Sequence, residues 1–297
     1  MPLTERSAER DRASRGIGQI TMPSNPYGVR MSSSRTLGGD DDLERLAQKV
    51  VARYHDTPPD KRLLVSVAGI PGSGKSTLAY PLTDRINALI SGHAPLHPSH
   101  LRPDEHIASP DKKAGTGSDE VAICVGLDGW HLTREKLDTF HDPKDAHWRR
   151  GAPFTFDLSS YLTFLLHLRQ PLQPNPPVGI PFPTFDHALK DPRPSPVPIL
   201  PRHRIVVLEG LYTHLAIPGW KDCAEMYDIR VWVDVDPSIA RGRVIERNFR
   251  AGIVNDLDRC AERVDAVDME NAKLILENRI EATDEVHPED VPGNQDP

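Results

Sequence analysis

From position 69 the chain reads Gly-Ile-Pro-Gly-Ser-Gly-Lys-Ser-Thr, and Gly69, Gly74, Lys75 and Ser76 fit the spacing G-x-x-x-x-G-K-[ST]. That spacing has a use. Glycines let the backbone curl until successive N–H groups point at one anion. A helix beginning at the loop adds its positive end. A lysine in this place reaches terminal phosphates, and the following hydroxyl can ligate Mg²⁺. The surroundings agree. The run Leu63-Leu-Val-Ser-Val-Ala68 is apolar and rich in β-branched residues, as a buried strand is, and Ser76 to Ile90 has a helical pattern. The segment from Gly69 to Thr77, including Pro71, Gly72, Ser73 and Thr77, is therefore expected to hold ATP.

Phosphoryl transfer also needs a proton acceptor and a metal shell. In open α/β sheets ligands gather at the carboxyl ends of strands. Acidic residues fall at three such ends. Asp128 follows Val121–Leu127, Glu209 follows Arg204–Leu208, and Asp234 and Asp236 close Ile229–Val235. Asp128 and Glu209 each precede glycine, which suits a tight turn beside a ligand. Asp236 precedes Pro237 and is better placed to cap a helix.

The elements that must carry these residues alternate between strand and helix. Asp42 to His55 spaces Leu43, Leu46, Ala47, Val50, Val51 and Tyr54 at helical intervals. Phe156 to Arg169 reads as a helix capped by Asp157, with Leu158, Leu162, Leu165 and Leu166 as its apolar stripe. Val178–Phe185 reads as extended. Pro237 to Arg250 and Leu257 to Ile280 read as helices, and the acidic tail from Glu281 as fraying. Strands alternating with helices imply a parallel, doubly wound sheet with right-handed crossovers.

Composition narrows the partners. The net charge is −7, which gives no bulk attraction to nucleic acid or to an anionic membrane. No apolar run approaches a membrane span. Cys124, Cys223 and Cys260 lie far apart and form no C-x-x-C pair, so reduced, structural thiols are expected. His93, His97, His100 and His106 have no acidic or cysteine partner at tight spacing and read as solvated. Residues 1–39 are rich in Arg and Ser, lack a secretory core, and read as disordered. Arg6, Arg10, Arg12 and Arg15 hint at a mitochondrial leader, but Glu5, Glu9 and Asp11 oppose one, so a cytoplasmic location is expected.

Several spaced motifs together resemble one family. They are the loop at 69–77, Leu-Asp-Gly-Trp-His at 127–131, Arg-Arg-Gly-Ala-Pro-Phe-Thr-Phe-Asp at 149–157, Pro-Thr-Phe-Asp-His-Ala at 183–188 and Leu-Glu-Gly-Leu-Tyr at 208–212. In this order they resemble the phosphoribulokinase/uridine kinase family, which includes bacterial-type pantothenate kinase and fungal and bacterial P-loop kinases. The resemblance spans about Leu63 to Ile280. It implies an α/β fold of the P-loop NTPase type, a doubly wound parallel sheet with helices on both faces, plus lid and substrate-side insertions. Together with the composition of the two ends, it suggests the segment 1–39, a kinase domain at 40–282 and a flexible tail at 283–297. Within the domain lie a surface insert (91–120), a Pro-rich substrate-side segment (170–203) and a lid region (237–256).

The resemblance also implies roles. Asp128 is expected to be the general base, with His131 shaping its pocket. Glu209 and Ser76 are expected beside Mg²⁺. Arg241, Arg243 and Arg247 fall in the lid segment, where Arg243 and Arg247 would act with Lys75 on the moving phosphate and Arg241 on the nucleotide. Arginine suits this work because its planar, permanently charged fork matches phosphate oxygens. Trp130, standing where the family motif has phenylalanine, is expected as an enlarged pocket wall. Arg149, Arg150, Asp186, His187 and Tyr212 are expected around the substrate.

An ATP-dependent kinase of a small hydroxyl metabolite follows. A nucleoside or ribose-like polyol is favoured by the aromatic residues near Asp128. Pantothenate-type and sugar-type acceptors, and an ATP-binding regulator of weak activity, stay open. A GTPase would need Asn-Lys-x-Asp, which the chain lacks. Oligomeric state is unreadable, a homodimer included.

Overall fold

A computed structural model describes residues 40–93, 120–175, 179–252 and 256–288. The expectations placed on residues 1–39, and most of those on the 91–120 insert, lie outside the described residues.

Five parallel strands form the main sheet in the order β2-β5-β1-β6-β7. They are β1 (Leu63–Ala68), β2 (Ala122–Gly126), β5 (Ile205–Glu209), β6 (Ile229–Val233) and β7 (Asp284–Val286). A separate antiparallel hairpin pairs β3 (Pro183–Asp186) with β4 (Asp191–Pro194). The helices are α1 (Asp40–His55), α2 (Lys75–Ser91), α3 (Arg134–Asp138), α4 (Pro143–Trp148) and α5 (Leu158–Leu168). After them come α6 (Trp220–Ala224), α7 (Pro237–Arg250), α8 (Leu257–Arg263) and α9 (Glu270–Asn278).

Strand alternation divides the core into two layers. Leu63, Val65 and Val67 of β1 pack with Leu46 and Val50 of α1 and with Leu78, Leu82 and Ile86 of α2. Leu64 and Ala68 point the other way, into a cluster with Tyr161, Phe164 and Leu165 of α5, Trp220 of α6 and Ile275 of α9. Every residue of β1 is buried, as expected of a central strand covered on both faces. The doubly wound architecture read from the alternation of elements is thus the observed one.

Caps close the helices where the sequence placed them. The carboxylates of Asp157 and Asp236 accept the backbone N–H groups of Ser160 and Ser238. The helix expected from Phe156 begins at Leu158. The extended segment expected from Val178 becomes a strand only at Pro183.

One expectation is corrected. The tail beyond Glu281 was expected to fray, and residues 283–297 to be flexible. Instead Asp284–Val286 joins the sheet edge as β7, with Val286 opposite Val233. Lys49 of α1 donates to both oxygens of Asp284, at 2.8 and 2.9 Å. Three residues are too short a pattern to stand out by periodicity. They are held by a strand edge and an ion pair from distant parts of the chain. Among the described residues no helix is long and apolar enough to cross a membrane.

Candidate active site

Register builds the site. Glu209, the last residue of β5, lies opposite Val67 of β1 on one side and Gly126 of β2 on the other. The loop that leaves β1, the carboxylate that ends β5 and Asp128 just past β2 therefore meet at one edge of the sheet. This edge is the carboxyl end of all three strands, the expected ligand crevice.

The loop has the shape its glycines predict. Gly72 and Gly74 hold φ of 80° and 89°, a region that L side chains rarely adopt. Gly74 is the N-cap of α2, so Lys75 and Ser76 open that helix. Pro71 and Ser73 are buried, and Thr77 is exposed in the first turn. A Cβ on Gly72 would lie 2.3 Å from the carbonyl oxygen of Ala240. The loop therefore rests directly on the backbone of α7. Arg243 of that helix donates to the Gly72 carbonyl at 3.4 Å.

Charge is concentrated behind the loop. Burial pushes the Glu209 carboxyl up to about 7, against the pull of Lys75; Asp128 raises it further, and the Ser76 hydrogen bond lowers it. Burial also holds the Lys75 ammonium below the usual lysine range, while Glu209 and Asp128 oppose that shift and Arg247 adds to it. Lys75, Glu209, Asp128 and Arg247 thus share one electrostatic environment.

The Ser76 hydroxyl donates to Oε2 of Glu209 at 3.1 Å. A hydroxyl beside a buried carboxylate is a hard-oxygen donor pair that fits Mg²⁺, with phosphate oxygens and water completing the shell. No group of three or more His, Cys, Asp or Glu side chains converges as a metal site among the described residues.

One pH dependence follows from Glu209. Cation binding needs the carboxylate, and below about pH 7 the ligand-free protein holds the proton. Apparent Mg²⁺ affinity is expected to fall up to about tenfold per pH unit below that point and to level off above it. Glu209→Gln should weaken Mg²⁺ binding and flatten the profile. Calorimetric titration of Mg²⁺ with ADP across this range checks both.

Asp128 lies in a single 3-10 turn, Leu127–Trp130, and its side chain is half exposed to the crevice. Nδ1 of His131 sits 2.9 Å from the Asp128 carbonyl oxygen and 3.9 Å from its carboxylate. Burial holds the imidazole below the usual histidine range, and Asp128 opposes that shift. His131 stacks at 4.0 Å on Phe156 and at 5.1 Å on Phe185 of β3. It joins the Asp128 turn to the hairpin.

Gly129 makes the second join. A Cβ there would stand 2.2 Å from the carbonyl oxygen of Pro183. Gly129→Ala must push the hairpin off the Asp128 turn, at a cost of about 1–3 kcal/mol typical of overpacking. Raised acceptor KM with nearly unchanged ADP affinity is the expected result in steady-state kinetics and calorimetry.

The structure moves several expected residues out of the pocket. Trp130 does not form a pocket wall; it is 2% exposed and packs at 5.0 Å on Tyr161 and 4.8 Å on Phe164. An apolar surface that large is drawn into the core beneath α5. Tyr212 is wholly buried, and its hydroxyl donates to the Gly151 carbonyl at 2.5 Å. Arg241 is held instead in a two-point ion pair with Asp265, at 2.5 and 2.8 Å.

Arg150 holds the hairpin. It donates to Asp191 at 2.7 Å and to the carbonyls of Lys190 and Leu132. Asp186 accepts from the backbone of Ala188 and Leu189 and pairs with Arg193, which makes it the hairpin's turn residue. His187 packs beside Phe185 at the same tip. Arg149 lies over the half-exposed ring of Phe154, 5.1 Å from its centroid. The reason is common to these cases: an arginine or aspartate motif looks alike whether it holds a ligand or a loop.

Asp268 had no expected role. It is half-buried in the π segment between α8 and α9, near enough to Lys75 for its charge to oppose the downward shift of that ammonium. A signal was present, because a carboxylate at this position interrupts the inward stripe of its helix.

A parallel α/β sheet with this loop, lysine and strand-end carboxylates defines a P-loop phosphotransferase. Known proteins agree. An ATP-dependent kinase-like protein of Aspergillus versicolor is 40% identical over 168 residues, covering 57% of this chain and 94% of the relative. A protein of Schizosaccharomyces pombe provisionally named a uridine kinase is 32% identical over 220 residues, covering 74% of this chain and 80% of its own. Among solved structures, one from a Silicibacter species, provisionally described as a fructose transport system kinase, superposes with a TM-score of 0.63 and 27% identity over 82% of this chain and 98% of that one. A circularly permuted protein of Saccharomyces cerevisiae, provisionally described as a P-loop kinase, gives 0.63 and 26% over 83% and 98%. No family model matches the chain. The chain belongs to the phosphoribulokinase/uridine kinase-like family of P-loop kinases. It is an ATP-dependent kinase.

Proposed function

We propose that this kinase transfers the γ-phosphoryl group of ATP to a hydroxyl of a small metabolite, with Asp128 as general base. The observation that carries this reading is the convergence of Lys75, Glu209 and Asp128 at one sheet edge. An ATPase alone needs the first two. A half-exposed carboxylate held beside them, under a hairpin, suits a second substrate.

Loop N–H groups and Lys75 would bind the phosphates, and Arg243 and Arg247 would approach from α7. Ser76 and Glu209 would hold Mg²⁺, which supplies charge neutralisation at the phosphate oxygens. Asp128 accepts the hydroxyl proton as its oxygen attacks in line. His131 fixes the Asp128 turn through the Asp128 carbonyl. Closing α7 and the hairpin over the crevice would exclude water and limit ATP hydrolysis.

The acceptor favoured is a nucleoside or another ribose-like polyol. With Trp130 and Tyr212 in the core, aromatic support for a planar base comes from Trp148 and Phe154, 49% and 42% exposed. Pantothenate-type and sugar-type acceptors use the same machinery, and an ATP-binding regulator would use none. Purified protein with Mg·ATP and a panel of hydroxyl metabolites, read by mass for a gain of one phosphate, separates these readings. ATP loss without a phosphorylated product would overturn the proposal.

A further inference from the structure

The far end of the sheet holds a second concentration of charge, which phosphoryl transfer does not use. Arg62 precedes β1, and Arg202, His203 and Arg204 precede β5, so these side chains start from the amino ends of two paired strands. The phosphate loop leaves the other end of β1. That strand has six residues, which puts its ends roughly 17 Å apart at ~3.3 Å per residue. A cleft of about 570 Å³ opens at the amino end. Arg202, Arg204 and Gln173 line it with Leu172 and three prolines, and no carboxylate among the described residues is in its wall.

The arginines here are held by backbone carbonyls or by nothing. Arg204 donates to the carbonyls of Lys61 and Pro58 at 2.9 and 2.8 Å, and its guanidinium lies 5.4 Å from the ring centroid of Tyr54. Arg202 lines the cleft, and its buried Nε has no hydrogen-bond partner among the described residues. Behind this wall Arg62 is 2% exposed. It donates to the carbonyl of His203 at 3.1 Å and to that of Leu168 at 3.4 Å, and its Nη2 has no partner among the described residues. His203 accepts the backbone N–H of Leu200 at Nδ1, so the neutral ring carries its proton on Nε2. Burial holds Arg62 below the usual arginine range and His203 down at about 4, and neighbouring arginines add to both shifts. A buried cation is costly unless it is paired, and donors left open beside a cleft are a place for a ligand's acceptor.

We propose that this cleft is a second, non-catalytic anion site that takes a small phosphomonoester, with Arg202 and Arg204 gripping the phosphate and Gln173 donating from the rim. The planar guanidinium fork fits phosphate oxygens. The bound dianion supplies the negative charge that the wall lacks and screens Arg62 behind it. Leu172 and the prolines leave room for a compact carbon body, in a cleft of ordinary small-ligand size. The site is independent of the acceptor chosen above.

The test titrates glycerol phosphate by calorimetry into the full chain saturated with Mg·ADP, so that the phosphate loop is already filled. Wild type, Arg202→Gln and Lys75→Ala are compared. Wild type and Lys75→Ala are expected to bind the probe alike, at millimolar concentration or below. Arg202→Gln should bind it about 10–100-fold more weakly, the loss of a charged hydrogen bond. Its affinity for Mg·ADP should stay that of wild type, which also reports that the variant is folded. Hydrogen exchange read by mass on wild type needs no variant: the probe should protect residues 58–62 and 200–204 and leave 69–77 unchanged. Failure of wild type to bind the probe overturns the assignment. So does binding that Lys75→Ala abolishes and Arg202→Gln spares, or protection confined to 69–77, since either places the anion in the catalytic crevice. None of these results touches the kinase reading.

Discussion

Asp128→Asn is expected to abolish most phosphoryl transfer while leaving nucleotide binding in place. The substitution keeps the size and hydrogen-bonding shape of the side chain and removes its ability to take a proton. General-base removal costs typically about 10²–10⁴ in rate. The side chain is half exposed and, among the described residues, bears no hydrogen bond that an amide would break; the contact that fixes its turn comes from the backbone carbonyl, 2.9 Å from His131. Folding and Mg·ATP affinity should therefore survive. Single-turnover product formation, with calorimetry of the nucleotide, checks both halves. Unchanged turnover would end the base assignment. Loss of ATP affinity in the same proportion would mean that Asp128 serves the phosphate site instead.

Lys75→Ala is the other large effect expected. Lys75 is the cation at the helix start, facing the Glu209 and Asp128 carboxylates. With phosphate bound, its charge counters the build-up on the transferred group, where one preorganised donor is worth about 10²–10³ in rate. Removing it should cut turnover by that order. ATP affinity should fall more than ADP affinity, because the γ-phosphate loses its contact. The variant also leaves Glu209 without its nearest compensating cation, so the Glu209 carboxyl should hold its proton to higher pH than in wild type. A shift of the Mg²⁺-binding pH profile to higher pH reports that change separately from catalysis. Equal losses for ATP and ADP would place Lys75 elsewhere than at the terminal phosphate.

These two residues were legible in the chain because short-range rules select them. Gly72 and Gly74 take positive φ in any loop of this type, and Lys75 follows them by chain geometry alone. Glu209 and Asp128 were legible for a related reason. A carboxylate next to glycine at the end of an apolar run lies at a sheet edge whatever the strand order. The alternation of Leu63, Val65 and Val67 against Leu64 and Ala68 likewise shows two covered faces. No knowledge of partners is needed for any of these.

The roles of aromatic and paired residues were less legible, because such side chains are chosen by their surroundings. Trp130 and His131 are neighbours in the chain, yet one side chain enters the core and the other sits between the Asp128 carbonyl and the hairpin. The difference is made by α5, which presents Tyr161 and Phe164 to the indole. Arg150 meets Asp191 rather than a ligand because the hairpin folds back onto it from 41 residues further along the chain.

Local chemistry in the chain thus settled the phosphate-binding loop, the parallel α/β class and the two strand-end carboxylates, since each depends on residues within a few positions of one another. Tertiary structure alone decided which arginines meet carboxylates, which aromatics are core, and that Asp284–Val286 completes the sheet. Those outcomes depend on contacts between distant segments, where burial and charge pairing override what any one segment prefers.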